Sequence, residues 1–194
     1  MSLAYAKDAV FTAIDFETTG SVRGWKNEPW QIGMCEVAAG ATGVQFSSLL
    51  HVAADRPFNA YAPGRHALIR AELARAPALP EIWGEVAPWV AGRPLVAHNI
   101  GTERTMLRAA APLSKLGPWI DTLKLARRLF PAFKSFALED LAPALGIEKD
   151  IQAKCPGLAP HDALYDAVAC GELLLYFLSL PGWDGVTVDD LAAV

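Results

Sequence analysis

The stretch Ala9-Val-Phe-Thr-Ala-Ile-Asp-Phe-Glu-Thr-Thr-Gly20 decides how this chain is read. Residues Ala9 to Asp15 are rich in Val, Ile, Phe and Thr, and Thr19-Gly20 is a turn signal, so the segment reads as a buried strand. Asp15 and Glu17 are two apart on it and leave the same face of the sheet. Two carboxylates side by side at a strand end repel one another unless a cation compensates them. That conflict marks the strand end as a candidate site.

Outward from this strand the pattern continues in an orderly way. Ser21 to Pro29 reads as a flexible segment. Trp30 to Val37 and Val44 to Val52 are apolar, β-compatible runs separated by the Ala38-Ala-Gly-Ala-Thr-Gly43 turn, which predicts a three-strand antiparallel meander. His66 to Ala76 and Leu79 to Val90 have helical content bounded by Pro77, Pro80 and Gly92. Pro94-Leu-Val-Ala-His98 reads as a strand leading to a helix from Thr102 to Ala111, and Trp119-Ile-Asp121 as a strand leading to a helix over Thr122 to Phe130. Phe136 to Leu145 reads as a helix stopped by Gly146, and a last helix runs from Asp162 to Leu180 before Pro181-Gly182. The predicted class is α/β, a mixed five-stranded sheet of meander plus parallel strands, flanked by helices. Residues 1–180 form a single domain in this reading, and 181–194 a C-terminal tail.

Composition narrows the function classes. A chain of 194 residues with 53% hydrophobic content buries a sizeable core. The net charge of −4 argues against bulk electrostatic binding of nucleic acid, which depends on Lys and Arg neutralising phosphates. It leaves room for an enzyme whose metal ions meet the phosphates. Cys35, Cys155 and Cys170 form no CxxC pair and are odd in number, which fits a reduced cytoplasm better than a disulfide framework. The start, MSLAYAKDAVF, does not read as a signal peptide. Leu173 to Leu180 falls far short of the roughly 20 apolar residues that span a bilayer, so no membrane partner is expected.

Two further segments carry matching chemistry. Ala97-His-Asn-Ile-Gly-Thr-Glu-Arg104 runs from a strand end into a helix bearing Glu103, near the sheet edge where α/β folds build sites. In His161-Asp-Ala-Leu-Tyr-Asp166, Asp162 suits an N-cap, so His161 falls in the loop before the last helix while Asp166 points inward. Alone, each segment is ordinary: the helix dipole favours an acid in a first turn, and a loop histidine is common at a surface. Together they supply four carboxylates and one imidazole. Mg²⁺ takes oxygen ligands at roughly 2.0–2.1 Å, and two ions about 3.5–4 Å apart clamp both oxygens of an in-line phosphoryl displacement. The reading is metal-assisted phosphodiester hydrolysis, with His161 able to accept a proton from water at neutral pH.

The three segments, in this order and at these separations, resemble the three exonuclease motifs of the DEDDh branch of the DEDD 3′→5′ exonucleases, a family that includes the proofreading subunit of bacterial DNA polymerase III, ribonuclease T and oligoribonuclease. The resemblance runs from about Val10 to Phe177. Gln31-Ile32-Gly33, DTLKLARRLFP from Asp121 and SFALEDLAPALGI from Ser135 support it. It implies an RNase H-like fold, two divalent cations (Mg²⁺ or Mn²⁺), and release of nucleoside monophosphates from the 3′ end of DNA or RNA, a single strand first. It further implies that Asp15, Glu17 and Asp166, with Glu103, hold the metals, and that His161 is the general base. The segment Phe16 to Thr19, with Thr18 and Thr19 near the sugar, would receive the terminal nucleotide. His98 and Asn99 stand where the second motif begins, and His66 falls where many members contact substrate.

Three positions depart from the family pattern: Glu103 replaces the usual Asp, Thr102 a common aromatic, and Ala67 a glycine. Glu is one methylene longer, about 1.5 Å of reach. The alternative function is therefore a catalytically weakened nucleic-acid-binding or polymerase-associated subunit of the same fold. The tail from Trp183 to Val194 is a candidate docking element for a polymerase or for a second copy of the chain. Arg127, Arg128, Phe130, Phe133, Lys134 and Phe136 suit either phosphate and stacking contacts or an amphipathic helix followed by a proline turn.

Overall fold

The computed structural model describes residues 4–194. Its sheet contains β1 (Phe11–Thr18), β2 (Pro29–Ala38), β3 (Ala41–Leu49), β4 (Leu95–Ala97) and β5 (Trp119–Asp121), in the order β3-β2-β1-β4-β5. β1–β2 and β2–β3 are antiparallel, whereas β4 is parallel to β1 and β5 to β4. The mixed sheet expected from the meander and the two strand–helix units is therefore present. Helices follow as α1 (Arg70–Leu73), α2 (Trp83–Val90), α3 (Gly101–Ala110), α4 (Thr122–Leu129), α5 (Leu138–Ala144), α6 (Glu148–Lys154), α7 (Ala163–Leu178) and α8 (Val188–Ala192).

β1 lies at the centre and buries both faces, as its run of apolar residues demands. Phe11 and Ala13 join a larger core with α7, while Ile14 and Phe16 join a second core with residues of α2 and α3. Because side chains alternate along a strand, Asp15 and Glu17 share the α7 face with Phe11 and Ala13. The acids thus extend an apolar row to the end of the central strand.

Several boundaries differ from those expected. β3 ends at Leu49; Leu50 still donates to Trp30 O of β2 (2.8 Å), whereas Val52 donates to Leu73 O (3.2 Å), away from the sheet, and both side chains are buried. His66 to Ala76 holds only a 3₁₀ turn, His66–Leu68, and the four-residue α1, and the next helix starts at Trp83 rather than Leu79. α6 was not anticipated, because Ile151 is its one buried residue and leaves no periodic stripe. Residues 181–194 carry α8, started by a Thr187 capping box, with Val188 and Leu191 in the larger core. Phe130, Phe133 and Phe136 also pack against that core, and Arg128 and Lys134 are exposed. No helix among the described residues is long and apolar enough to cross a membrane.

Candidate active site

The site begins with a missing side chain. Asp15 pairs across the sheet with Gly33, and a Cβ at Gly33 would fall 2.2 Å from the backbone of Ala163. Only glycine lets the start of α7 lie directly on β2. Glu17 pairs with Gln31, whose Nε2 donates to Asp162 Oδ2 (3.1 Å) and whose Oε1 accepts from Ala163 N (3.3 Å). Asp162 caps α7 by accepting from Leu164 N (3.1 Å), as its position in the sequence predicts. β2 therefore fixes the first turn of α7 and brings Asp166 to the acids of β1. The β1–β2 register shifts between Glu17 and Thr18, a bulge that ends regular pairing beside the carboxylates.

Ligand atoms of Glu17, His161 and Asp166 lie within 4.8 Å of one another. Glu103, in the first turn of α3, is 3% exposed, and its Oε2 has no hydrogen-bond partner. Burial, then the charges of Glu103, Asp166 and Glu17, hold Asp15 well above the usual carboxylate range. Burial followed by Asp166 pushes Glu17 up to about 8. Burial pushes Glu103 up to about 7, against the backbone N–H groups of Glu103 and Phe16, and Asp166 up to about 6, against the N–H and ring of His161. Among the described residues no Lys or Arg pairs with any of the four. Oxygen donors plus one imidazole, with an orphaned buried carboxylate oxygen, fit hard divalent cations such as Mg²⁺ or Mn²⁺.

His161 sits before α7 with φ +67°, its N–H donated to Asp166 Oδ2 (2.9 Å). Its ring Nε2 is 3.2 Å from Glu139 Oε2. With Asp15, Glu17, Asp166, His98 and Glu139 it lines an open cleft of about 230 Å³.

The six candidate substrate contacts are placed unevenly. Phe16 lines the cleft from the edge of the second core. Thr18 is half-buried, and its Oγ1 accepts weakly from Gly20 N (3.4 Å). Thr19 is fully buried; its hydroxyl donates to Asn27 Oδ1 (3.2 Å) and accepts from Glu28 N and Arg56 (both 3.1 Å), so it supports the loop. His98 lines the cleft, but Nε2 donates to Phe136 O (2.8 Å) and Nδ1 meets Thr122 Oγ1 (2.9 Å). Burial lowers its pKa, consistent with a neutral ring. Asn99 takes φ +71° and donates its N–H to Asp121 Oδ1 (3.1 Å), which turns β4 into α3. His66 stacks on Phe58 at 4.4 Å, with Nε2 on Ala62 O (3.0 Å), and is not among the cleft-lining residues. Two residues of the site region carry no signal in the sequence: Arg56 lies outside any motif, and Glu139 is one of the polar residues on a short helix.

This sheet, with buried acids gathered at the end of its central strand, defines a nuclease domain of RNase H-like fold. The chain belongs to the exonuclease family (RNase_T), which it matches over residues 12–174. It is 30% identical to Exodeoxyribonuclease 10 of Escherichia coli K12 over 137 residues, 71% of this chain and 57% of that protein. It is 31% identical to a DNA polymerase III subunit epsilon-like protein of Rhodobacter capsulatus, covering 87% of this chain and 23% of that one. The chain thus spans little more than half the length of the first of these relatives. Exonuclease X in complex with 5′-overhanging duplex DNA superposes with a TM-score of 0.69 at 29% identity, covering 94% of this chain and 98% of that one. The nuclease domain of 3′hExo, a DEDDh family member bound to rAMP, has a TM-score of 0.72 at 16% identity over 95% and 98%, a likeness of fold.

Proposed function

We propose that this chain is a 3′→5′ exonuclease that hydrolyses phosphodiester bonds at DNA ends and releases nucleoside monophosphates, with two divalent cations, Mg²⁺ or Mn²⁺. The observation that carries this reading is the convergence of Asp15, Glu17, Glu103 and Asp166 with no basic partner. These four would hold the cations, which supply positive charge at the scissile phosphate and activate the attacking water. His161, at the mouth of the cleft, takes the proton from that water. Phe16 and Thr18 face the terminal nucleotide, and Thr19 acts through the loop it anchors. DNA is favoured over RNA because the relatives near 30% identity include an exodeoxyribonuclease and a DNA-bound exonuclease. A free single-stranded 3′ end fits the open cleft. The three buried, unpaired thiols support a cytoplasmic location, and the polymerase-type relative supports a polymerase partner.

Matched 3′-labelled and 5′-labelled DNA and RNA oligonucleotides, with Mg²⁺ or Mn²⁺, test the proposal. Stepwise loss of mononucleotides from a free 3′ hydroxyl is expected, with DNA degraded faster. Equal rates on circular single strands would mean an endonuclease instead.

A further inference from the structure

Glu139 belongs to none of the three acidic segments, yet it reaches the same cleft. Its backbone is held from several sides. Ser135 Oγ donates to Asp140 Oδ2 (2.5 Å) and accepts from Ala137 N (3.3 Å), and Leu141 is fully buried in the larger core. His98 donates to Phe136 O (2.8 Å), tying the segment before α5 to the end of β4. The backbone of His161 is held equally firmly by Asp166 and by its left-handed conformation. What this leaves free is the imidazole, 44% exposed in an open cleft, and Glu139 Oε2 stands 3.2 Å from its Nε2.

We infer that Glu139 is a positioning residue for His161, a carboxylate that fixes the ring so that its other nitrogen faces the attacking water. This rests on His161 being the base. An imidazole that must accept a proton needs a defined tautomer and a defined direction, and a carboxylate on one ring N–H supplies both. The proton leaves water for the free nitrogen of His161, and the ring N–H on Glu139 is never transferred. Among the described residues, the ion-pair contact that Glu139 makes is with the His161 ring. It is 47% exposed, and its replacement leaves the core untouched.

The test measures kcat and KM on a single-stranded DNA oligonucleotide across a Mn²⁺ titration. The proteins are the wild type, Glu139→Ala, Glu139→Asp, His161→Ala and the Glu139→Ala/His161→Ala double variant. Glu139→Ala is expected to lower kcat by about tenfold to a hundredfold with KM within about twofold. Glu139→Asp should recover most of the loss, and the double variant should be no slower than His161→Ala alone. An undiminished kcat in Glu139→Ala beside a slow His161→Ala would overturn the role of Glu139 and leave the base in place. So would an equal Glu139→Ala effect in the His161→Ala background, or a higher Mn²⁺ requirement, which would make Glu139 a ligand. A normal kcat in His161→Ala would remove the base itself and this inference with it.

Discussion

Helix α7 carries two acids toward the sheet six residues apart, and they live in opposite circumstances. Glu172, 8% exposed, accepts from Thr42 Oγ1 (2.5 Å) and forms an ion pair with Lys154 Nζ. Asp166 stands against Asp15 and Glu17 and, among the described residues, pairs with no Lys or Arg. The first acid is balanced by the chain itself and joins α6, α7 and β3. The second belongs to a group that no Lys or Arg among the described residues balances. A buried acid says little about function until its partners are counted. The same contrast recurs in the glycines, since Gly33 admits the start of α7 and Gly171 its middle.

The sharpest break of this comparison is a matched pair of neutralising substitutions. On the proposed function, Asp15→Asn or Asp166→Asn should lower turnover roughly a thousandfold or more, because each would remove charge that holds the cations. Glu172→Gln should leave turnover of the folded protein within about twofold while costing about 1–3 kcal/mol of stability in denaturant titrations. Near-normal turnover of Asp15→Asn in saturating Mg²⁺ would erase the distinction.

Glu103 sharpens it at the position that departs from the family. Glu103→Gln should lose most turnover, on the order of a hundredfold, whereas Glu103→Asp should keep substantial activity in Mg²⁺. Should Glu103→Gln match the wild type with both Mg²⁺ and Mn²⁺, Glu103 is not a ligand.

The glycines give the next test. At Gly33 the added methyl meets Ala163 backbone at 2.2 Å, whereas at Gly171 it meets Thr42 and Val37 methyls at 2.9 Å. Gly33→Ala should cost about 1–3 kcal/mol or more and also lower turnover, because α7 must shift beneath His161 and Asp166. Gly171→Ala should lower stability alone. Equal turnover in the two variants would show that the start of α7 need not rest on β2.

The smallest effect is on stability against pH. Folding raises Glu17 to about 8, Glu103 to about 7 and Asp166 to about 6, so the folded state binds these protons more tightly than the unfolded chain. Their contribution is complete below the unfolded values near 4 and is lost as pH rises through 6 to 8. In metal-free buffer the melting temperature should fall by a few degrees over that window, and Mn²⁺ should restore more at pH 8 than at pH 5. A metal-free melting temperature that rose from pH 6 to 8 would contradict this.

Much of this was legible in the sequence because the deciding signals are local. The apolar run of β1, the Asp15/Glu17 spacing and the Asp162 cap each follow from neighbours within a few residues. The fragmented segment after His66 was not, since His66 stacks on Phe58 and Ile69 and Leu73 are buried by contacts distant in sequence. Nor was the burial of Thr19, whose hydroxyl answers to Arg56, 37 residues on. The end of β3 is hidden for a related reason: Val52 is as apolar as a strand residue, but its N–H finds its partner at Leu73 O rather than on β2.

Arg56 has a further consequence. It is 1% exposed, bonds Thr19 Oγ1, Lys26 O and Pro57 O, stacks over Trp25 at 5.0 Å and pairs with Glu28 at 3.4 Å. Asn59 adds bonds to Thr19 O (2.8 Å) and Ser21 O (2.9 Å). The loop after Glu17, which reads as flexible from its composition, is thus stapled before any nucleotide arrives. If, as proposed, this loop receives a chain end, that end has little loop entropy to overcome, and its binding free energy is left to discriminate one terminus from another.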